Sequence, residues 1–264
     1  MEILSIEESV QALTENIRWD DPKFQQAMMA QCARLAYLGG KEANPLFKEL
    51  GFSKHKYIEH NDAECHIVEN KDYVVFAFRG TQPTEFNDIA ADLKAWKHKS
   101  KTTGLVHDGF YDELNKLWED VENYSTKGKH VFITGHSLGG AMATLCASRM
   151  CQVVQPMLIT FGSPRVGNAT WVQANNGVGH WRFVNNNDVV PKVPPAVLGF
   201  RHHGKLCYIN YYGNIRELTW WQKAKDQWRA RKRAWKKGQP FSGFTDHSID
   251  RYAQKLLDLY LDSV

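Results

Sequence analysis

No stretch of this 264-residue chain approaches the ~20 consecutive apolar residues that a membrane-spanning helix requires. It also has no internal repeat, low-complexity tract or linker, so residues 1–264 read as one domain with room for a large core. Cysteine is scarce: Cys32, Cys65, Cys146, Cys151 and Cys207 are odd in number, scattered and mostly set among apolar residues. That pattern points to reduced core thiols and not to a disulfide framework or metal site. The opening residues Met1–Glu8 are acidic and lack the basic n-region and long apolar h-region of a signal peptide, so a cytoplasmic setting is the expectation.

What the chain does have is an uneven charge. Its formal net charge is +4, yet residues 216–237 alone carry nine Lys or Arg against Glu217 and Asp226, a local +7. The remainder is therefore at −3, and the basicity belongs to one segment. Within it Trp221, Trp228 and Trp235 recur every seven residues and share one face of a helix, with cations crowding the other faces. Three readings of residues 216–238 stay open. The helix packs its Trp edge onto the domain, or it lies in a membrane interface with aromatics inward and cations toward anionic lipid. Alternatively it grips a nucleic-acid backbone, the least expected of the three.

The hydrophobic pattern alternates between strand and helix. Residues 22–38 have helical apolar spacing and end at Gly39-Gly40, which reads as a C-cap. Short strands are predicted at 57–59 and 65–69, then at 73–78, whose nearly continuous apolar run suits a central strand buried on both faces. An amphipathic helix over 108–124 precedes strands at 130–134, 157–161 and 180–184. A last hairpin is predicted from Lys205 to Asn214, then the basic helix and a final amphipathic helix over 249–261. The alternation predicts an α/β fold with a mostly parallel central sheet and helices on both faces.

The most informative segment is Gly135-His136-Ser137-Leu138-Gly139, between the strand-like His130–Thr134 and a small, apolar, helix-like run beginning at Gly140. Strand, tight turn and helix form the setting of a nucleophile elbow, in which a strained serine projects its Oγ beyond the strand end. Partners for Ser137 belong beyond the carboxyl ends of other strands. Asp188 follows the strand 180–184 directly, whereas Glu217, Asp226, Asp250 and Asp258 lie in or near helical patterns that face solvent. His202 and His203 precede the strand at 205 and fall at its wrong end. His247, on the loop that introduces the final helix, is the favoured base, with helix capping as its alternative and a capping role open for Asp246. His107, His136 and His180 are expected to pack or orient. For an oxyanion, the elbow supplies the Leu138 N–H, and Thr81 after Phe78-Arg79-Gly80 supplies an N–H and a hydroxyl.

Together, Phe78–Thr81, Val106–Phe110, Gly135–Gly140, Phe161–Gly167 and Asn187–Pro191 resemble the class 3, or fungal-type, triacylglycerol lipase family, in family order and over roughly Pro22 to Tyr252. The resemblance implies an α/β-hydrolase fold with Ser137 as nucleophile, Asp188 as acid and His247 as base. It places Thr81 and Leu138 at the oxyanion hole and implies neither metal nor cofactor. The chain lacks the signal and disulfide pattern of the secreted fungal members and is similar to bacterial members without them.

The family carries its lid where this chain has residues 82–105. Phe86, Ile89, Ala90, Leu93 and Trp96 there make one apolar stripe of a short helix, which fits a mobile cover and a fixed surface helix equally. Phe86, Ile89 and Leu93 are the lid candidates, and the substrate-binding residues stay unassigned. The expected activity is hydrolysis of acylglycerols or related lipid esters through an acyl-enzyme. The alternatives are a phospholipase or galactolipase at membrane surfaces, served by Trp221, Trp228, Trp235 and neighbouring cations, and a catalytically silent lipid or protein binder.

Overall fold

A computed structural model describes residues 3–81, 96–236 and 242–264. The chain opens with helices α1 (Ile6–Thr14), α2 (Pro22–Leu35) and α3 (Gly40–Glu49), followed by strands β1 (Lys54–His60), β2 (Ala63–Glu69) and β3 (Tyr73–Phe78). Next come β4 (Lys97–Lys99), β5 (Leu105–His107), α4 (Asp108–Glu122), β6 (His130–His136), α5 (Leu138–Met150) and β7 (Met157–Phe161). β8 (Gly167–Asn168), α6 (Ala169–Ala174), β9 (Gly179–Asn185), β10 (Phe200–Arg201) and β11 (Lys205–Ile209) lead to α7 (Trp220–Lys236), α8 (Ser242–Thr245) and α9 (Ile249–Leu261).

Seven strands form the main sheet in the order β1-β2-β3-β6-β7-β9-β11. The five from β3 onward run parallel, and β1 and β2 add an antiparallel edge. β3 shows how sequence alternation builds two cores. Val74, Phe76 and Phe78 point to one face and Val75 and Ala77 to the other, and all five are fully buried. The first face is covered by α4 through Phe110, Leu114, Leu117 and Val121, together with α5. The second is covered by α2 and α9, flanked by α1 and α3. A small antiparallel sheet, β10-β8-β5-β4, sits apart from the main one. No helix among the described residues is long and apolar enough to cross a membrane.

Several expectations need correction. Gly39-Gly40 does not cap α2, which stops at Leu35 and unwinds through a turn to Leu38. Gly39 is instead the extended N-cap of α3, a helix that tolerates Pro45 inside it and went unpredicted for that reason. The predicted hairpin after Lys205 is reduced to a single bridge, Ile209 to Ile215, because β11 pairs in parallel with β9. Of the lid segment 82–105, Phe86, Ile89 and Leu93 lie outside the described residues. Its last part is no helix: β4 pairs with β5, and Trp96, the end of the supposed stripe, is a non-helical residue 69% exposed. The basic segment is helical from residue 220 to 236, and Trp221, Trp228 and Trp235 face solvent and not the core, being 68%, 60% and 75% exposed.

Candidate active site

The elbow forms because two glycines allow it. β6 runs straight into Ser137, whose φ of 58° and ψ of −128° are strained for an L-residue, and α5 begins at Leu138. A side chain at Gly139 would place its Cβ 2.2 Å from the Phe78 carbonyl oxygen, and one at Gly135 would lie 2.3 Å from the Gly139 oxygen. Strand, turn and helix are thus pressed together more closely than any larger residue permits. The Ser137 N–H donates to the Phe161 carbonyl at 3.0 Å, tying the elbow to the end of β7.

Three residues distant in sequence meet here. The Ser137 hydroxyl lies 2.9 Å from His247 Nε2, and His247 Nδ1 lies 3.0 Å from Asp188 Oδ2. All three side chains are buried. Asp188 follows β9, as the strand-end rule anticipates, and His247 stands just before α9. Oδ2 of Asp188 also accepts from the Tyr252 hydroxyl at 2.6 Å, while Oδ1 accepts from the Val190 N–H at 2.9 Å. Because a carboxylate only accepts, His247 Nδ1 carries the proton in this pair and Nε2 is left to accept from Ser137. Burial and the adjacent Asp188 charge hold the Tyr252 phenol well above its ordinary range, so it remains a donor.

A second set of residues holds the imidazole from behind. His136 Nε2 lies 2.6 Å from the His247 carbonyl oxygen, and the Tyr37 hydroxyl lies 2.7 Å from His136 Nδ1. A carbonyl cannot donate, so Nε2 of His136 bears the hydrogen and Nδ1 accepts from Tyr37. Burial, helped by the nearby His247, keeps His136 well below the usual histidine range and therefore neutral. Asp246, the neighbour of His247, does not cap α9. Its carboxylate accepts from Asn186 Nδ2 and from the Asn187 N–H, and pairs with Arg251, while its carbonyl accepts from Asn185 Nδ2. Burial raises its pKa. The three asparagines before Asp188 thereby lock the acid's loop to the base's loop.

Gly162, just past β7, has φ of +57°, and a Cβ there would stand 2.7 Å from Asp188 Oδ2 and 2.9 Å from the His247 ring. Leu138 occupies the first turn of α5, with its N–H at the helix start. Thr81 is the last described residue beyond β3. The preceding Gly80 lies against the elbow, where a Cβ would be 2.4 Å from the His136 carbonyl and 3.2 Å from Ser137 Cβ. Among the described residues, no three or more His, Cys, Asp or Glu side chains are grouped to hold a metal ion.

Sequence reasoning missed Tyr252, Tyr37 and the locking role of Asp246. Tyr252 had a signal: it sits on the apolar stripe of α9 with Ile249, Ala253 and Leu256, and a buried phenol there requires an acceptor. Tyr37 had none, since it lies in the turn that ends α2. His107 packs, as expected, stacked on Phe110 at 4.2 Å.

Residues 75–198 match the family described as Lipase (class 3). That match takes in Ser137 and Asp188 and stops short of His247. A lipase of Rhizomucor miehei is 35% identical over 118 residues, covering 39% of this chain and 32% of the relative. A secreted mono- and diacylglycerol lipase of Malassezia globosa is 34% identical over 163 residues, covering 53% of each. The chain therefore spans about a third to a half of the length of these curated relatives. Among solved structures, lipase II from Rhizopus niveus superimposes with a TM-score of 0.62 at 24% identity, covering 78% of this chain and 83% of that one. That likeness establishes the α/β-hydrolase fold.

Proposed function

We propose, from the premise that the chain belongs to the class 3 lipase family, that it is a serine carboxylester hydrolase acting on acylglycerols or related lipid esters. The observation that carries the reading is a single imidazole within hydrogen-bond reach of both the Ser137 hydroxyl and the Asp188 carboxylate. As the Ser137 Oγ attacks the ester carbonyl, His247 Nε2 takes its proton. The imidazolium so formed is supported by Asp188 through Nδ1 and passes that proton to the departing alcohol oxygen as the tetrahedral intermediate collapses. Water then repeats the sequence on the acyl-enzyme, releasing the fatty acid and returning the proton to Ser137. The developing oxyanion is held by the Leu138 N–H and by Thr81.

The donor set supports acyl transfer without a bound metal, since every charge that develops has a protein partner. Ser137→Ala removes the nucleophile and leaves the core untouched. Its kcat on a soluble ester should fall by at least about a thousandfold with an unchanged melting curve, and adding His247→Ala should cost little more. Substantial turnover by folded Ser137→Ala would sink the assignment. A second reading, hydrolysis of phospholipid or galactolipid at a bilayer, is favoured by the exposed tryptophans of α7. An ester series from short soluble esters to triglyceride and phosphatidylcholine separates the two.

A further inference from the structure

α7 is fastened along one side and exposed along the other. On the fastened side, Asp226 Oδ2 accepts from the Tyr208 hydroxyl at 3.0 Å and from the Tyr211 N–H at 3.3 Å. Gln227 Nε2 donates to the Asn186 carbonyl at 3.1 Å, and Asn187 Nδ2 donates to the Gln227 carbonyl at 3.2 Å. Lys223, Asp226 and Gln227 are the half-buried residues of this side. With about 100° between successive residues, their arc lies nearly opposite Trp221, Trp228 and Trp235, which drift only about 20° per heptad. The three indoles thus form one outward stripe, roughly 21 Å long at 1.5 Å per residue. Exposed Lys225, Arg229, Arg231 and Lys232 flank it, with the Lys232 ammonium 5.1 Å from the Trp228 ring.

We infer that α7 is a docking helix that seats the protein on an anionic phospholipid bilayer. The stripe is convex and stands on one helix, which suits a plane; nucleic-acid strands are held in grooves that track the backbone. Indole rings settle at the headgroup level, and the flanking cations reach anionic headgroups from the stripe's edges. Charge decides orientation. Residues 216–237 carry +7 and the rest of the chain −3, so an anionic surface attracts the segment that bears α7 more than the remainder of the chain. The hydrogen bonds of Gln227 and Asn187 couple the seated helix to the loop that ends in Asp188. Resting on the hydrolase reading for this consequence alone, docking holds the site at the lipid surface that contains its substrate.

The full chain carrying Ser137→Ala, which leaves vesicles intact, is sedimented with phosphatidylcholine vesicles and with vesicles also containing phosphatidylglycerol. The expected result is binding to the anionic vesicles, little to the neutral ones, and loss of binding as salt rises. Adding Trp221→Ala, Trp228→Ala and Trp235→Ala should weaken anionic-vesicle binding roughly tenfold or more. The same triple substitution in the Ser137 background should leave turnover of a soluble short-chain ester unchanged. Equal sedimentation of triple and parent proteins overturns the proposal, as does tighter binding to a single-stranded oligonucleotide than to anionic vesicles. Vesicle binding by a chain that turns over no soluble ester supports docking while removing the hydrolase reading.

Discussion

Gly162 stands where a methyl group would strike both members of the acid–base pair, since a Cβ at this position would be 2.7 Å from Asp188 Oδ2 and 2.9 Å from the His247 ring. Its φ of +57° adds strain for any L-residue. Relief requires the carboxylate and imidazole to part, and a displacement of about 1 Å in such a pair costs on the order of a hundredfold in rate. Gly162→Ala should therefore stay folded and bind a soluble ester with nearly unchanged KM, while kcat falls roughly a hundredfold. Steady-state kinetics alongside a thermal melt checks this; unchanged kcat would mean that the pair has slack the distances do not suggest. The same scale explains the two glycines of the elbow: they permit the contact between β6, α5 and the Phe78 carbonyl that raises Ser137 to the imidazole.

Among elements, Arg34 on α2 does the most joining. Its guanidinium is buried and binds Asp250 on α9 at 2.6 Å, Ser9 Oγ on α1 at 3.1 Å, and the Leu4 carbonyl at 3.0 Å. α9 starts two residues beyond His247, so this clamp bears on the base's position. Arg34→Met strands several acceptors, although Asp250 is 45% exposed and regains water, so a loss of about 2 kcal/mol is expected in urea unfolding. A loss below about 0.5 kcal/mol would show that the clamp is redundant. The elements that sequence foretold best were those whose burial is uniform. β3 and β7 were legible residue for residue because a short, nearly continuous apolar run that ends at a turn signal marks a central strand. α3 was not, since Pro45 and a Gly-Gly start imitate a loop. The residues around the base were only half legible: the elbow, the strand-end rule and the loop before the last helix singled out Ser137, Asp188 and His247, but the Tyr37–His136–His247 chain joins three elements through one carbonyl and one phenol. α7 gave its period away, yet not which side faced inward, because Asp226 and Gln227 find their partners only in the fold.

Across the whole molecule, burial holds seven of the eleven histidines below their ordinary range. Burial pushes His66 and His202 down to about 3, and holds His136 and His180 well below the ordinary range. His55, His107 and His203 are lowered by the same cause. In the unfolded chain each titrates near about 6.5. Below that value and above the folded pKa, the unfolded state binds protons that the folded state refuses, so stability rises with pH and is lost as pH falls through the window. A histidine that stays neutral in the folded protein removes at most about 1.4 kcal/mol per pH unit across this window, and the depressed histidines all act in the same direction. Asp246, raised by burial, works in the opposite sense, but it is one group. The paired carboxylates Glu69 and Asp120, held low, add their loss only at more acidic pH. Urea midpoints measured from neutral pH downward should therefore fall from about pH 6.5, before carboxylates protonate. A midpoint that stays flat to about pH 4.5 would mean that these imidazoles take up protons inside the folded protein, and the neutral His136 that steadies His247 would lose its argument as well.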